Sequence, residues 1–232
     1  ACRKCPDLIV IPPDYSLYVR ASRALMKLLE RYSDQIIPYS IDEAWVILEG
    51  FGRLYGREQM VNLAWQMKEE IRDRLGFTVN IGVSTNLLLA KMAGELSKPD
   101  RVHTLFEEEI EKKMWPLPVS ELFMAGSAMS SRLGRLGIRT IGELARFDRE
   151  ALYQLLGRPG AQLHDYANGL DRAPVAPAGE YTPPKSVGNG LTFPKNLQGR
   201  EEIASGITML SDQVAARLRR HGMKCGGVAL TV

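Results

Sequence analysis

Between residues 15 and 96, apolar runs of strand length alternate with segments whose apolar residues recur at helical spacing. Tyr18, Val19, Leu25, Met26 and Leu29 follow the i, i+3, i+4, i+7 pattern, with Arg20, Lys27 and Glu30 on the other side, so 15–32 reads as an amphipathic helix. Residues 35–41 and 44–48 read as two strands, and the glycine-punctuated "EGFGRLYG" leads into a helix over 58–75. A third buried strand, 77–83, precedes a helix over 86–96 that Ser84 can cap. An alternation of this kind requires a sheet with helices packed on it, in an α/β or α+β arrangement.

Composition sets the outer limits. With 232 residues, 45% of them hydrophobic and 25% charged, the chain can bury a real core in one to three compact units. A formal charge of +3 is compatible with a polyanionic partner without requiring one. Cys2, Cys5 and Cys225 are an odd set without the spacing of a disulfide framework, which points to a reducing, cytoplasmic setting. Cys2 and Cys5 form a C-x-x-C, but no second pair or nearby histidine completes a zinc site. No apolar run approaches the ~18 residues of a membrane span, so no membrane partner is expected.

Within "YSIDEAWVILEG", two acids, Asp42 and Glu43, stand side by side between the strand-like runs. Consecutive side chains on a regular strand point to opposite faces, so adjacent carboxylates serve one site only where the strand turns. The turn of the 35–48 hairpin provides that place. Two like charges held so close call for a cation, and hard oxygen donors suit Mg²⁺ or Mn²⁺. A solvated hairpin tip bearing two acids fits the same residues. Further along, "VSTNLLLAKMAGELSKPDRVHTLF" places Lys91 and Lys98 about two helical turns apart, on and just beyond a helix that follows a strand. A lysine there can neutralise phosphate as a mobile point charge, or can simply solubilise an exposed helix face.

Together the two segments resemble the Y-family of lesion-bypass DNA polymerases. "YSIDEAWVILEG" is similar to that family's S-x-D-E-A-aromatic palm hairpin, and "VNIGVSTNLLLAKMAGELSKPD" is similar to its strand–helix segment ending in Lys-Pro. The resemblance implies an α+β chain: the end of the fingers region in 1–13, a partial palm in 14–106, a helix–hairpin–helix thumb in 107–172, a linker in 173–184, and the first half of a β–α–β little-finger domain in 185–232. It implies that Asp42 and Glu43 ligate metal in phosphoryl transfer and that Lys98 contacts the triphosphate of the incoming nucleotide. The implied cofactor is Mg²⁺ or Mn²⁺, and the implied partners are primer-template DNA and deoxynucleoside triphosphates, with a sliding clamp left open.

Downstream, "SELFMAGSAMSSRLGRLGIRTIGELARFDREALYQLLG" alternates short helices with glycine turns, and "LGIRTIGELA" resembles part of a helix–hairpin–helix element. Such an element meets a DNA phosphate through backbone N–H groups, here around Gly126. Met124 stands where a glycine is expected. "LDRAPVAPAGEYTPPK" carries Pro174, Pro177, Pro183 and Pro184 without periodicity, as a semi-rigid linker does. Beyond it, "KSVGNGLTF" reads as a strand, 201–221 as an amphipathic helix and "CGGVALTV" as a strand. By resemblance, Lys185 and Ser186 contact DNA.

The resemblance also places the family's first metal-binding aspartate upstream of Ala1. Asp7, outside an apolar–Asp–apolar pattern, reads as a surface residue rather than a substitute. The chain alone is therefore expected to be an inactive part of a polymerase. A non-catalytic DNA-binding or interaction module is the alternative, and it would need no divalent metal. A different palm-fold nucleotidyl transferase or cyclase would account for the acids and Lys98, but not for a DNA-binding thumb followed by a linker.

Overall fold

The computed structural model describes residues 3–171 and 184–231. The chain divides into two compact units, Ala1–Ala178 and Gly179–Val232. The expected linker, Pro184 apart, and Cys2 lie outside the described residues.

The first unit begins with α1 (Tyr15–Leu29), whose N-terminus is closed by Asp14: its carboxylate accepts from the Leu17 N–H at 2.9 Å. The apolar face of α1 buries Leu25, Leu28 and Leu29 against Met67 and Ile71 of α2 (Phe51–Leu75). Gly56 interrupts α2 with φ 83° and ψ 166°, so the regular helix starts just after it, as the glycine-rich stretch requires. Gly76 ends α2 in the left-handed conformation that a C-terminal glycine permits.

Between α1 and α2, β1 (Ile36–Pro38) and β2 (Ala44–Val46) pair antiparallel, with Ile36 opposite Val46 and Pro38 opposite Ala44. The strands are shorter than the apolar runs 35–41 and 44–48. The Tyr39 and Ser40 N–H groups both donate to the Glu43 carbonyl, at 2.8 and 3.2 Å, so the chain turns before Ile41 can join the ladder. β3 (Ile81–Val83) and β4 (Val102–Thr104) pair parallel, joined by α3 (Leu87–Glu95). Among the described residues the sheet is thus two separate two-stranded pieces, β1–β2 and β3–β4. Asn86, not Ser84, caps α3: its side chain accepts from the Leu89 N–H at 2.8 Å, while the Ser84 hydroxyl donates to the Leu105 carbonyl. Ser84 is pre-empted by that carbonyl, and the helix starts one polar residue later than the sequence suggests.

A short helix, α4 (Ile110–Lys113), leads into α5 (Ser127–Arg135), α6 (Ile141–Arg146), α7 (Arg149–Leu156) and α8 (Arg158–Ala167). Leu88, Leu89, Met92 and Ala93 of α3 share one apolar cluster with Leu133, Ile141, Leu144, Leu152 and Leu163 of these helices. The helix that follows β3 is therefore packed on the helical part of the unit, and its position is fixed by the largest core in the molecule.

In the second unit, α9 (Gly199–Arg220) is covered in part by Phe193 and Leu197, which sit over Gly206; a Cβ there would come within 2.9 Å of the Phe193 ring. The expected strands over 185–193 and 225–232 are corrected by the structure: among the described residues neither segment joins a ladder. Apolar alternation shows which side chains can face a core, but a strand exists only where a second backbone supplies hydrogen bonds. Here the Gly188 carbonyl accepts from the Arg217 guanidinium at 2.7 Å instead.

Candidate active site

The turn that ends β1 holds Asp42 exposed, its carboxylate accepting from the Ser40 hydroxyl at 2.6 Å, with Glu43 half-buried beside it. Trp45 Nε1 donates to the Leu87 carbonyl at 3.0 Å and so ties the hairpin to the first turn of α3. One turn further on, Lys91 Nζ reaches back to Glu43 Oε1 at 2.5 Å and also holds Glu95 Oε1 at 3.0 Å. Glu95 Oε2 in turn pairs with Lys98 Nζ at 2.7 Å. Glu43, Lys91, Glu95 and Lys98 form one chain of alternating charge along the edge of α3.

The charges tune one another. Burial lowers the Lys91 pKa, but hydrogen bonds and charge from Glu43 and Glu95 outweigh it and hold the ammonium above its ordinary value. For Glu95, burial acts upward and is overcome by Lys98 and Lys91, leaving the carboxyl below the usual range. Both groups therefore stay ionised through the neutral range.

Asp42, Glu43, Lys91, Glu95 and Lys98 all line one open cleft of about 1820 Å³, bordered by β2 on one side and β3 on the other. The structure brings the expected residues Asp42, Glu43 and Lys98 to one place. Gly126 does not line the cleft, and Lys185 and Ser186, both exposed, belong to the second unit. Glu95 was not singled out from the sequence, although its spacing announces it: four residues after Lys91 and three before Lys98, it lies on the helix face that both lysines share.

Whether the residues suit a divalent ion can be tested on their chemistry. Mg²⁺ keeps several waters and is commonly held by one or two carboxylates together with substrate phosphates, not by a complete protein cage. Two adjacent carboxylates at the rim of an open cleft match that donor set, and Lys98, which lines the same cleft, can meet the phosphates. Among the described residues no group of three His, Cys, Asp or Glu side chains gathers to hold a metal by itself.

At the other candidate site, Gly126 is the N-cap of α5, with open space where a Cβ would stand. Met124 adopts φ 71°, a left-handed conformation, with its side chain 63% exposed. The position expected to be glycine thus has the backbone that glycine favours, and a side chain there costs about 1–2 kcal/mol. Met124→Gly should accordingly raise stability by roughly 1 kcal/mol, less whatever backbone freedom glycine adds to the unfolded chain. Urea denaturation reads this directly: an unchanged or lower midpoint would show that the turn is not strained.

The family model described as the impB/mucB/samB family matches residues 1–95, and the model of the same family's C-terminal domain matches residues 184–232. The chain belongs to the impB/mucB/samB family. Curated relatives of this impB/mucB/samB chain include the DNA polymerase IV of Clostridium acetobutylicum, 40% identical over the whole chain and 57% of the relative's length. The DNA polymerase IV of Moorella thermoacetica is 39% identical over 98% of the chain and 56% of its own length. The chain thus spans a little over half of the relatives it matches. Among solved structures, a Y-family DNA polymerase chimera, Dbh-Dpo4(243-245)-Dbh, superposes with a TM-score of 0.77 at 27% identity, covering 93% of this chain and 62% of the other. DinB from Sulfolobus solfataricus gives 0.66 at 28% identity over 75% of this chain and 51% of its own. The likeness to Y-family, DinB-like polymerases carried by the two sequence motifs therefore extends to the fold.

Proposed function

We propose that the protein carrying this chain is a template-directed DNA polymerase that copies past damaged bases, and that Asp42 and Glu43 hold its divalent metal, Mg²⁺ or Mn²⁺. The observation that carries the reading is the convergence of two adjacent carboxylates and Lys98 on one cleft. On this reading 14–106 is palm, 107–172 thumb and 185–232 part of the little finger, with 1–13 closing the fingers region and 173–184 the linker. The relatives named DNA polymerase IV support it, and it sets the protein to work on DNA in the cytoplasm.

Metal ions, when bound, lower the pKa of the primer hydroxyl and offset charge on the transferred phosphoryl group. The chain's own residues do the rest. Asp42 and Glu43 supply oxygen ligands at the cleft rim, and the β1–β2 turn keeps them side by side. Lys91 orients Glu43 by direct contact. Lys98, half-exposed and paired with Glu95, can exchange that carboxylate for a nucleotide phosphate, a donor–acceptor match of the same kind. In the thumb, free N–H groups at the start of α5, next to Gly126, are placed to meet a DNA phosphate. Lys185 and Ser186 add backbone contacts without reading sequence.

Primer extension with the full-length protein, on templates differing only in the first templating base, tests the reading. Incorporation should follow the templating base and stop when EDTA removes divalent ions. DNA binding without templated incorporation by the full-length protein would replace the polymerase with a DNA-binding module.

A further inference from the structure

We propose that Lys68 and Asn80 are positioning residues that fix the loop carrying Lys98, and so set how tightly the site takes a nucleotide triphosphate; this rests on the assignment of Lys98 to the triphosphate. Lys68 is an anomaly on α2. Its side chain is 3% exposed, yet it carries a charge. Its Nζ lies 2.7 Å from Asp100 Oδ1 and 2.9 Å from Glu69 Oε1, with the Trp65 ring centroid 5.1 Å away. A buried ammonium is expensive unless it is paired, and removing its partner leaves an uncompensated charge. Such a group is kept where it fixes something, and what it touches is the residue two positions after Lys98.

Asp100 itself has φ 58°, in the left-handed region that aspartate tolerates better than most side chains. Its carboxylate is 31% exposed, and Arg72 approaches its second oxygen at 4.0 Å. Lys68 thus grips a backbone corner that would otherwise have little reason to stay in that conformation. The opposite side of the loop is held by Asn80. Its amide nitrogen donates to the Ser97 carbonyl at 2.7 Å and the Gly94 carbonyl at 3.0 Å, and its amide oxygen accepts from the Arg101 N–H at 3.1 Å.

Residues 97–101 are thereby tied at both ends, to α2 through Asp100 and to the chain entering β3 through Asn80. Lys98 stands between the ties with its own side chain half-exposed. The loop backbone is held on both sides, while the half-exposed ammonium, paired with Glu95, can exchange that partner for a phosphate, which suits a cation that must meet a nucleotide at a set distance from the Asp42–Glu43 pair. Preorganisation of this kind lowers the entropy lost on binding without adding any contact to the ligand.

Titration of the protein with mant-labelled dATP in Mg²⁺ tests the inference. Lys98→Ala should weaken binding about tenfold, as expected for loss of a charge-assisted hydrogen bond. Lys68→Met and Asp100→Asn should each weaken it about three- to tenfold in the wild-type background, through lost preorganisation, and should add almost nothing once Lys98 is alanine. Lys68→Arg should restore most of the affinity. Asp100→Asn keeps a left-handed-tolerant side chain, so it remains readable should Lys68→Met fail to fold. If Lys98→Ala binds nucleotide as wild type does, the assignment of Lys98 falls and the inference with it. If Lys98→Ala weakens binding but Lys68→Met and Asp100→Asn do not, or act equally in both backgrounds, the positioning role alone is overturned.

Discussion

On the proposed function, Asp42→Ala and Glu43→Ala should each slow primer extension by the protein carrying this chain about a thousandfold, the effect of losing several kcal/mol of metal-centred transition-state stabilisation. The two losses should differ in character. Asp42 is exposed and its carboxylate accepts from Ser40 within its own turn, so its alanine variant should fold with an unchanged melting temperature and simply lose Mn²⁺ affinity by electron paramagnetic resonance. Glu43 also holds Lys91. Its alanine variant releases a half-buried ammonium to Glu95 alone, and a small loss of stability should accompany the loss of rate. Extension at wild-type rates by either variant would remove the carboxylates from the reaction and return them to the status of a solvated hairpin tip.

What the sequence disclosed, and what it withheld, follows from the range of the forces involved. Helices 15–29 and 87–95 and the regular part of α2 are legible because their apolar periodicity is local, whereas the caps that end them, Asp14, Asn86 in place of the expected Ser84, and Gly76, appear only in the structure. Strand lengths are not, because the ladder depends on a second segment: 77–80 is apolar enough for a strand, yet β3 begins only at Ile81, where β4 runs alongside. The same dependence removes the expected strands of the second unit. In the site, Asp42 and Glu43 stand out as adjacent acids at a hairpin turn and Lys98 as a lysine just beyond a helix, and it is the resemblance of the two motifs, not the residue types alone, that singles them out. Met124 stands out as a side chain where the turn calls for glycine, and its positive φ bears this out. Lys68 and Asn80 gave no such sign. A lysine on a charged helix reads as a solvated one, and although Trp65 is its i−3 neighbour on α2, only the fold brings Asp100 to it.

Gly82→Ala should be the most damaging single-methyl change in the first unit, and its cost shows what holds the site together. A Cβ on Gly82 would lie 1.9 Å from the Ala90 carbonyl oxygen and 2.5 Å from the Gly94 nitrogen, both backbone atoms of α3. Neither can turn aside as a side-chain tip would, so α3 must retreat from β3. The helix cannot retreat freely, because Leu88, Leu89 and Met92 anchor it in the main core. The expected loss is about 3 kcal/mol, at the upper end of overpacking costs, read as a fall in the urea midpoint. Gly94→Ala is the control: the nearest atom to its new Cβ is the Gly82 nitrogen at 3.6 Å, an ordinary contact. With alanine favoured over glycine in a helix by up to about 1 kcal/mol, this variant should be neutral or more stable. Because Lys91 and Glu95 ride on α3 and Lys98 follows it, Gly82→Ala should also weaken nucleotide binding at urea concentrations where the protein remains folded. A Gly82→Ala protein as stable as Gly94→Ala would mean that β3 and α3 do not meet at backbone distance, and the rigid wall on which Lys91 and Lys98 stand would have to be placed elsewhere.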